Sequence, residues 1–285
     1  MYGGGGNDYL VGSGGSDHLH GSAGQDILDG LDGEADILEG GYDDDTYIID
    51  QAPDGTWDSI VENTDDFISV IYFNGGYDSV FVTSSYTLDE DAKIEYLTFL
   101  NPTSTSGILV GSDFANTIEG GDGYDFLVGG SGDDILLSGG DTTGNKLMGD
   151  LGSDTLAGSD GVDDFWGGYG QDTFTGGGGA DNFYLEELPD GSFDVITDVE
   201  EIIDILWLSS EGVEENNLWS PNRIEFGTAA TSSKIRFIYD QSTGNLWKDV
   251  DGSGPEAQKL IAQLLNKPNG AALDFRLMDP DDYAW

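Results

Sequence analysis

The chain has 285 residues, and 56 acidic residues against 9 basic ones give it a formal net charge of -47. So much self-repulsion opposes compaction unless a cation binds, and it argues against nucleic acid as a partner. The absence of cysteine excludes disulfides and thiolate metal sites. No apolar stretch is long enough for a transmembrane segment, and the first ten residues, "MYGGGGNDYL", show no cleavable secretory signal.

A nine-residue pattern recurs in two arrays. The first runs from Gly3 to Ile48 and begins "GGGGNDYLV", and the second runs from Gly111 to Tyr184 and ends "GGGGADNFY". The eighth position of every copy is apolar, which predicts a three-residue strand whose middle side chain points into a core. These positions are Leu10, Leu19, Leu28, Leu38, Tyr47, Ile118, Leu127, Leu136, Leu147, Leu156, Phe165, Phe174 and Phe183.

The sixth position of the repeat is acidic in all copies but two, where Asn116 and Asn145 replace the acid. Stacked turns bring these carboxylates together, and their repulsion requires a bound cation. Carboxylates and the carbonyl oxygens of glycine-rich loops favour Ca²⁺ over Mg²⁺. We therefore predict several calcium ions, held by Asp8, Asp17, Asp26, Asp36, Asp45, Asp125, Asp134, Asp154, Asp163, Asp172 and Asp181. The alternative, a solvated Gly/Asp linker, does not explain an apolar residue kept in register through every copy.

The nonapeptide resembles GGxGxDxUx, the repeat-in-toxin (RTX) or haemolysin-type calcium-binding repeat. The resemblance implies an all-β protein, a right-handed parallel β-roll in which two nonapeptides make one turn and Ca²⁺ lies between loops two repeats apart. Weak or no binding is expected at Asn116 and Asn145. The implied site pairs are Asp8 with Asp26, Asp17 with Asp36, Asp26 with Asp45, Asp134 with Asp154, Asp154 with Asp172, and Asp163 with Asp181.

Residues 49–110 resemble the segment that joins repeat blocks in this family, and we predict a solenoid that continues there without calcium. The extra stretch "FISVIYFNGG" is interpreted as a protruding hairpin. The resulting organisation is a first array at 3–48, a connector at 49–110, a second array at 111–184 and a capping and secretion module at 185–285.

The segment after the repeats resembles the closing segment of the family, where Asp194, Asp198 and Asp204 match its acidic positions, and Asp198 joins the predicted metal ligands. A β-hairpin about "STGN" and a helix in "PEAQKLIAQLLNK" are predicted to form the cap. The C-terminal region is similar to that of proteins exported by type I secretion, and the final "DYAW" is similar to the ending of serralysin-type proteases.

No catalytic constellation is evident, because the chain has no G-x-S-x-G and no H-E-x-x-H motif. His18 and His20 flank Leu19 and are interpreted as outward-facing surface residues, since two histidines alone do not make a zinc centre. Aromatic residues at outward or loop positions are candidates for sugar stacking, with packing on the neighbouring turn as the alternative. They are Tyr42, Tyr124, Trp166 and Tyr169.

The leading hypothesis is a non-enzymatic secreted module that stays unfolded at low calcium, passes through a type I secretion apparatus and folds on extracellular Ca²⁺ as a monomer. One alternative is the C-terminal part of a larger secreted protease, lipase or polysaccharide-modifying enzyme. Another is a cell-surface adhesin that binds extracellular polysaccharide. The three hypotheses share the calcium-binding fold and differ in the activity that accompanies it.

Overall fold

The computed structural model describes residues 1–61, 76–100, 106–140, 142–209, 224–232, 236–249, 251–252 and 257–278. The chain divides into two compact units, Met1–Gly139 and Gly140–Trp285. Both are built from short β-strands, and in the described residues no helix is long and apolar enough to cross a membrane. The predicted protruding hairpin at "FISVIYFNGG" lies almost wholly outside the described residues.

The first unit is a parallel β-solenoid. Its strands in the described residues are β1 (Tyr2–Gly5), β2 (Tyr9–Val11), β3 (His18–Ala23), β4 (Ile27–Asp29), β5 (Ile37–Tyr42), β6 (Thr46–Ile49), β7 (Ser59–Val61), β8 (Ser79–Val82), β9 (Tyr86–Thr87), β10 (Tyr96–Phe99), β11 (Ile108–Val110), β12 (Thr117–Glu119), β13 (Phe126–Ser131) and β14 (Ile135–Leu137).

Strands of the first unit stack on two faces, and all their pairings are parallel. The even-numbered strands β2 to β14 form one continuous stack. The other face carries β1, β3, β5 and β7 as one stack and β9, β11 and β13 as another. Leu10 lies beside Leu28, and Leu28 beside Tyr47, so two nonapeptides make one turn as expected. Connector strands β7 to β10 join the same parallel stacks.

The second unit continues the same construction in its own residues and adds a hairpin. Its strands in the described residues are β15 (Lys146–Leu151), β16 (Thr155–Ala157), β17 (Asp164–Tyr169), β18 (Thr173–Thr175), β19 (Asn182–Leu185), β20 (Asp194–Ile196), β21 (Ile205–Ser209), β22 (Ile224–Phe226), β23 (Phe237–Asp240), β24 (Asn245–Lys248), β25 (Lys259–Leu264) and β26 (Asp274–Met278).

One face of the second unit stacks β15, β17, β19, β21 and β26 in parallel. The other stacks β16, β18, β20 and β25 in parallel, after which β25 pairs antiparallel with β24. The predicted hairpin is present, because β23 and β24 pair antiparallel around Gln241–Gly244. A buried Lys248 ammonium lies 3.6 Å from Glu187 Oε2, which ties the hairpin to the segment after β19.

The predicted helix in "PEAQKLIAQLLNK" is wrong. Lys259–Leu264 forms strand β25, and Gly270–Ala272 is a single 3-10 turn. The edge of β20 offers unpaired peptide groups, and β25 satisfies them while also pairing with β24. A register shift at Leu246 and Trp247 bends this pairing, and Ile261 and Ala262 are both buried. Their adjacent burial explains why the apolar pattern did not alternate as a regular strand does.

The predicted core stripe is confirmed. All thirteen eighth-position side chains are buried, and in the second unit Phe165, Phe174 and Phe183 pack with ring centroids 5.1 to 6.1 Å apart. Most of the three-residue strands contribute one buried apolar side chain to a narrow core, and longer strands contribute more, as Val80 and Val82 do on β8.

Strand β4 offers a matched test of this core. Leu28 is fully buried, whereas the adjacent Ile27 is 39% exposed. We expect Leu28→Ala to lower the free energy of unfolding by about 2–5 kcal/mol, because it leaves a cavity. Ile27→Ala is expected to cost less than about 1 kcal/mol. Denaturant unfolding in saturating calcium measures both, and equal losses would contradict the assigned direction of the strand.

Candidate metal centre

The sixth-position aspartates lie just before the strands, at the bends where the chain changes face. Most are buried, although Asp8 and Asp17 are half-buried, as is Asp198 of the closing segment. The fully buried ones are Asp26, Asp36, Asp45, Asp125, Asp134, Asp154, Asp163, Asp172 and Asp181. A row of buried carboxylates is costly unless hydrogen bonds or cations compensate for the lost hydration.

Hydrogen bonds between turns hold one oxygen of these carboxylates. The peptide N–H of Asp8 donates to Asp26 Oδ1 at 2.8 Å, and that of Asp26 donates to Asp45 Oδ1 at 2.8 Å. The same contact joins Asp17 to Asp36, Asp154 to Asp172, and Asp163 to Asp181. Five of the six predicted pairs are therefore adjacent within a unit. The sixth, Asp134 with Asp154, has one member in each unit and stays a prediction, as does metal binding at every pair.

The second carboxylate oxygen is buried without a hydrogen-bond partner in one group of residues: Asp8, Asp26, Asp36, Asp45, Asp172 and Asp181. Such an atom loses its water and gains nothing in return, which costs about 1–3 kcal/mol or more for a charged group. A carboxylate oxygen accepts hydrogen bonds but does not donate them, so a bound cation can supply the missing partner of this oxygen.

A main-chain oxygen lies beside the unpartnered carboxylate oxygen, next to the glycine that starts each repeat. A Cβ built on Gly21 would lie 2.2 Å from Asp26 Oδ2 and 2.7 Å from the Gly40 carbonyl oxygen. On Gly3 it would lie 2.6 Å from Asp8 Oδ2 and 3.0 Å from the Gly21 carbonyl oxygen. Glycine thus leaves a cradle lined by a carboxylate and a carbonyl from the next turn. Hard oxygen donors of this kind fit Ca²⁺.

A second group of predicted ligands has the Oδ2 carboxylate oxygen engaged by the main chain. Asp125 Oδ2 accepts the Gly121 N–H at 2.7 Å, and Asp163 Oδ2 accepts the Ser159 N–H at 2.8 Å. Asp17 Oδ2 accepts the Ser13 N–H at 3.1 Å. Asp198 accepts the N–H groups of Gly176 and Gly177 at 2.8 and 3.0 Å. The predicted ligands are therefore not equivalent, which the uniform repeat pattern did not indicate.

Three acidic groups meet in the first unit. Single carboxylate oxygens of Asp17, Asp32 and Asp36 lie within 4.8 Å of one another. A Cβ on Gly12 would lie 2.7 Å from Asp36 Oδ2 and 3.6 Å from Asp17 Oδ2. Asp32 is not among the ligands predicted from the sequence, because it stands at the variable third position of its loop. The signal that identifies it is an acid placed two residues after the first glycine.

The aspartate ladder also extends beyond the predicted ligands. Asp36 N–H donates to Asp58 Oδ1 at 2.9 Å and Asp45 N–H to Asp78 Oδ1 at 2.7 Å, both in the connector. Asp181 N–H donates to Asp204 Oδ1 at 3.0 Å in the closing segment. These acids share a short signal, Asp-x-apolar immediately before a strand, which would have identified them without the glycines.

At Asn116 the side-chain amide is satisfied by the main chain, because Oδ1 accepts the Ser112 N–H at 2.7 Å and Nδ2 donates to the Ile94 carbonyl. A neutral amide in this place needs no cation to balance it. The expectation of weak or no binding at this turn stays a prediction.

Among the candidate sugar-binding aromatics, Tyr42, Tyr124 and Tyr169 are about half exposed. Trp166 is different, because its ring stacks on Tyr184 of the next turn with centroids 4.2 Å apart. Tyr184 stacks in turn on Trp207, at 5.9 Å. One face of Trp166 is therefore covered by protein and is closed to a sugar ring.

Burial raises the pKa of several ladder carboxyls. Desolvation is the main cause at Asp45 and at Asp181, where the pKa rises to about 7 and about 8, and neighbouring carboxylates raise it further. The pKa of Asp172 rises to about 6 for the same first reason. Hydrogen bonds from peptide N–H groups act in the opposite direction at all three residues.

The metal-free chain should consequently gain β structure on acidification. The folded pKa values exceed the ordinary value of 3.8, so the folded state binds protons that the unfolded chain does not. Stability of the metal-free fold should therefore rise as the pH falls from about 8 to about 5. Circular dichroism of the calcium-stripped chain measures this, and a loss of β signal over that range would contradict it.

The glycine cradle predicts a position-specific effect of a methyl group. Gly21→Ala should raise the calcium midpoint about twofold or more, because its Cβ would occupy the space beside Asp26 Oδ2. Gly5→Ala is the matched control, since a Cβ there would meet nothing within 4 Å. Calcium titration followed by circular dichroism compares them, and equal midpoints would argue against the cradle.

Comparison with known families agrees with this geometry. The model for the RTX calcium-binding nonapeptide repeat (4 copies) matches residues 2–34, 110–143 and 145–184. No curated protein matches the chain. The predicted similarity to serralysin-type proteases stays a prediction, and "DYAW" lies outside the described residues. Asp36 and Asp45 fall outside the matched segments but belong to the same ladder. The chain therefore carries RTX calcium-binding nonapeptide repeats, built into a parallel β-solenoid with rows of buried aspartates.

Proposed function

We propose that this chain is a secreted calcium-binding module that is unfolded at low calcium, is exported by a type I secretion apparatus and folds on extracellular Ca²⁺. The observation that carries the proposal is the set of buried, unpartnered carboxylate oxygens beside main-chain carbonyls, as at Asp26 and Gly40. Ca²⁺ binding is a property of the RTX repeat family. The proposals on folding and export rest on the charge and the burial of these carboxylates.

Coupling between calcium and folding follows from charge and burial. A formal net charge of -47 opposes compaction, and most of the three-residue strands place only one apolar side chain in the core. Ca²⁺ bound between turns removes the repulsion and satisfies the unpartnered oxygens in one step. Because the ligands come from different turns, the ion binds the folded chain and not the extended one, so binding free energy becomes folding free energy.

Export follows from the same linkage. Extracellular calcium-binding modules typically bind in the range of about 10⁻⁴ to 10⁻³ M, so calcium-poor cytosol would leave the sites empty and the chain extended. RTX repeats typically occur in secreted proteins, and the described residues contain no helix able to cross a membrane. The monomeric state and the secretion apparatus are parts of the proposal.

The proposed role is binding and not catalysis, since RTX repeats are generally non-catalytic calcium-binding units. The alternatives are a module of a larger secreted enzyme or a polysaccharide-binding adhesin. In both, the chain would fold on calcium in the same way, but the protein would have a different activity. Exposed Tyr42 and Tyr169 leave a sugar-binding surface open to direct test with immobilised glycans.

Far-UV circular dichroism during calcium titration of the calcium-stripped chain tests the proposal. We expect a cooperative gain of β signal with Ca²⁺ and none at equal concentrations of Mg²⁺, which prefers a tighter octahedral site. A full β spectrum in chelator at neutral pH would refute calcium-dependent folding.

Paired aspartate variants test whether these particular sites set the calcium midpoint of folding. Asp172→Ala combined with Asp181→Ala should raise the calcium midpoint by a factor of about three or more, because two unpartnered ligand oxygens are lost. Asp54→Ala combined with Asp190→Ala removes the same number of charges from exposed turns and should leave the midpoint unchanged. A midpoint raised equally by both pairs would show that net charge alone, and not these sites, sets the response.

A further inference from the structure

One of the core side chains that the repeat supplies carries a polar atom. Among the eighth-position residues, Tyr47 is the one with a hydroxyl group, and all the others are leucine, isoleucine or phenylalanine. Tyr47 lies on β6 and is fully buried. A buried hydroxyl group costs free energy unless it has a partner, so the groups that its oxygen meets are informative.

The Tyr47 hydroxyl oxygen lies at the glycine that starts its own repeat. The peptide N–H of Gly40 donates to Tyr47 Oη at 3.0 Å, in a buried hydrogen bond. Among the described atoms, the two nearest to a Cβ built on Gly40 would be Tyr47 Oη and Asp45 Oδ2. Asp45 Oδ2 is one of the buried carboxylate oxygens without a hydrogen-bond partner. The phenol oxygen therefore lines the same cradle as this carboxylate.

In the preceding turn a main-chain oxygen lines the equivalent cradle. The pairing of β3 with β5 places Gly21 beside Gly40. A Cβ on Gly21 would meet Asp26 Oδ2 and then the carbonyl oxygen of Gly40, at 2.7 Å. Carbonyl and phenol oxygens are both neutral acceptors, and Ca²⁺ takes neutral oxygens together with carboxylates. At the end of the first array, Tyr47 thus offers a neutral oxygen of the kind that the next turn offers at Gly21.

The last repeat of the second array has the same ring position without the oxygen. A Cβ on Gly176 would lie 2.5 Å from Asp181 Oδ2 and 3.1 Å from Phe183 Cζ. Asp181 Oδ2 is also buried without a hydrogen-bond partner, and the N–H of Gly176 donates to Asp198 Oδ1 at 2.8 Å instead of to a ring hydroxyl. A phenylalanine is therefore accommodated beside such an aspartate, and the hydroxyl of Tyr47 is not required to fill the core.

We infer that Tyr47 supplies a neutral oxygen to the calcium site at Asp45 and holds the Gly40 peptide group that lines this site. The inference rests on the calcium binding proposed above and adds a residue to it. The nonapeptide pattern does not mark Tyr47 as a ligand, because its eighth position serves the core in every repeat. The structure gives this residue a second role, since its ring fills the core while its oxygen reaches the cradle.

Tyr47→Phe removes the oxygen and keeps the ring. We expect it to raise the calcium midpoint of the circular dichroism about twofold or more, because the Asp45 site loses a donor. Tyr239→Phe is the matched control, since it removes another fully buried hydroxyl, which donates to the Pro268 carbonyl oxygen at 3.0 Å in the hairpin region. Its calcium midpoint should change less than that of Tyr47→Phe.

Tb³⁺ luminescence separates a ligand from a residue that only stabilises the fold. Tb³⁺ is a hard ion that substitutes for Ca²⁺, and a tyrosine close to it sensitises its emission. The folded chain is loaded with Tb³⁺, and emission under tyrosine excitation is measured per bound ion. We expect lower emission in Tyr47→Phe than in wild type, and wild-type emission in Tyr239→Phe.

The outcomes distinguish this inference from the proposed function. A calcium midpoint that is unchanged in Tyr47→Phe would overturn the role of Tyr47, while calcium-dependent folding of the wild type would still support the proposed function. A raised midpoint with unchanged Tb³⁺ emission would show that the hydroxyl only stabilises the fold, which also overturns the inference. A wild-type chain that gains no β signal with calcium would refute both.

Discussion

The hydrogen bond from a peptide N–H to an aspartate Oδ1 one turn later recurs in both units and links each bend to the next. It fixes the position of the carboxylate and so directs the second oxygen into the space beside the first glycine of the repeat, as at Asp26 and Gly21. Satisfying one oxygen through the backbone while leaving the other buried and unpartnered sets up a need that a hard cation fulfils. The rest of the solenoid is a narrow core to which most of the three-residue strands add one buried apolar side chain.

The aspartates at the sixth position of the repeat differ in their hydrogen bonds, although the repeat pattern suggests that they are equivalent. Where the N–H of the residue four positions earlier reaches Oδ2, as at Asp125 and Asp163, the carboxylate is already satisfied by the chain itself. Where it does not, as at Asp45 and Asp181, the carboxyl has a raised pKa and an unpartnered atom. One sequence pattern therefore yields two local electrostatic states, and the backbone of each loop decides between them.

Much of the fold could be predicted from the period alone, because an apolar residue at every eighth position admits few arrangements other than short stacked strands. The strand at Lys259–Leu264 could not, since its apolar residues fit a helix until the open edge of β20 is known. The site shows the same division. Pairs such as Asp8 with Asp26 follow from two repeats per turn, but the meeting of Asp32 with Asp17 and Asp36 depends on how the folded loops place their side chains. Likewise, Asp58 and Asp78 lack the glycines that mark a repeat, so the nonapeptide pattern did not identify them.

The two closing strands, β25 and β26, pair with strands that lie much farther away along the chain than is usual in the two units. Most strands pair with a neighbour about one turn away, so their contacts are local and stacking can begin at any point within a unit and spread outward. Strands β25 and β26 instead pair with β20 and β21 across an intervening hairpin, at residues as distant as Asp194 and Ala262 or Ile205 and Asp274. Loop-closure entropy makes these two pairings the slow ones in their unit. The time at which this unit reaches its final form is then set by the arrival of its last strands and not by the number of its turns.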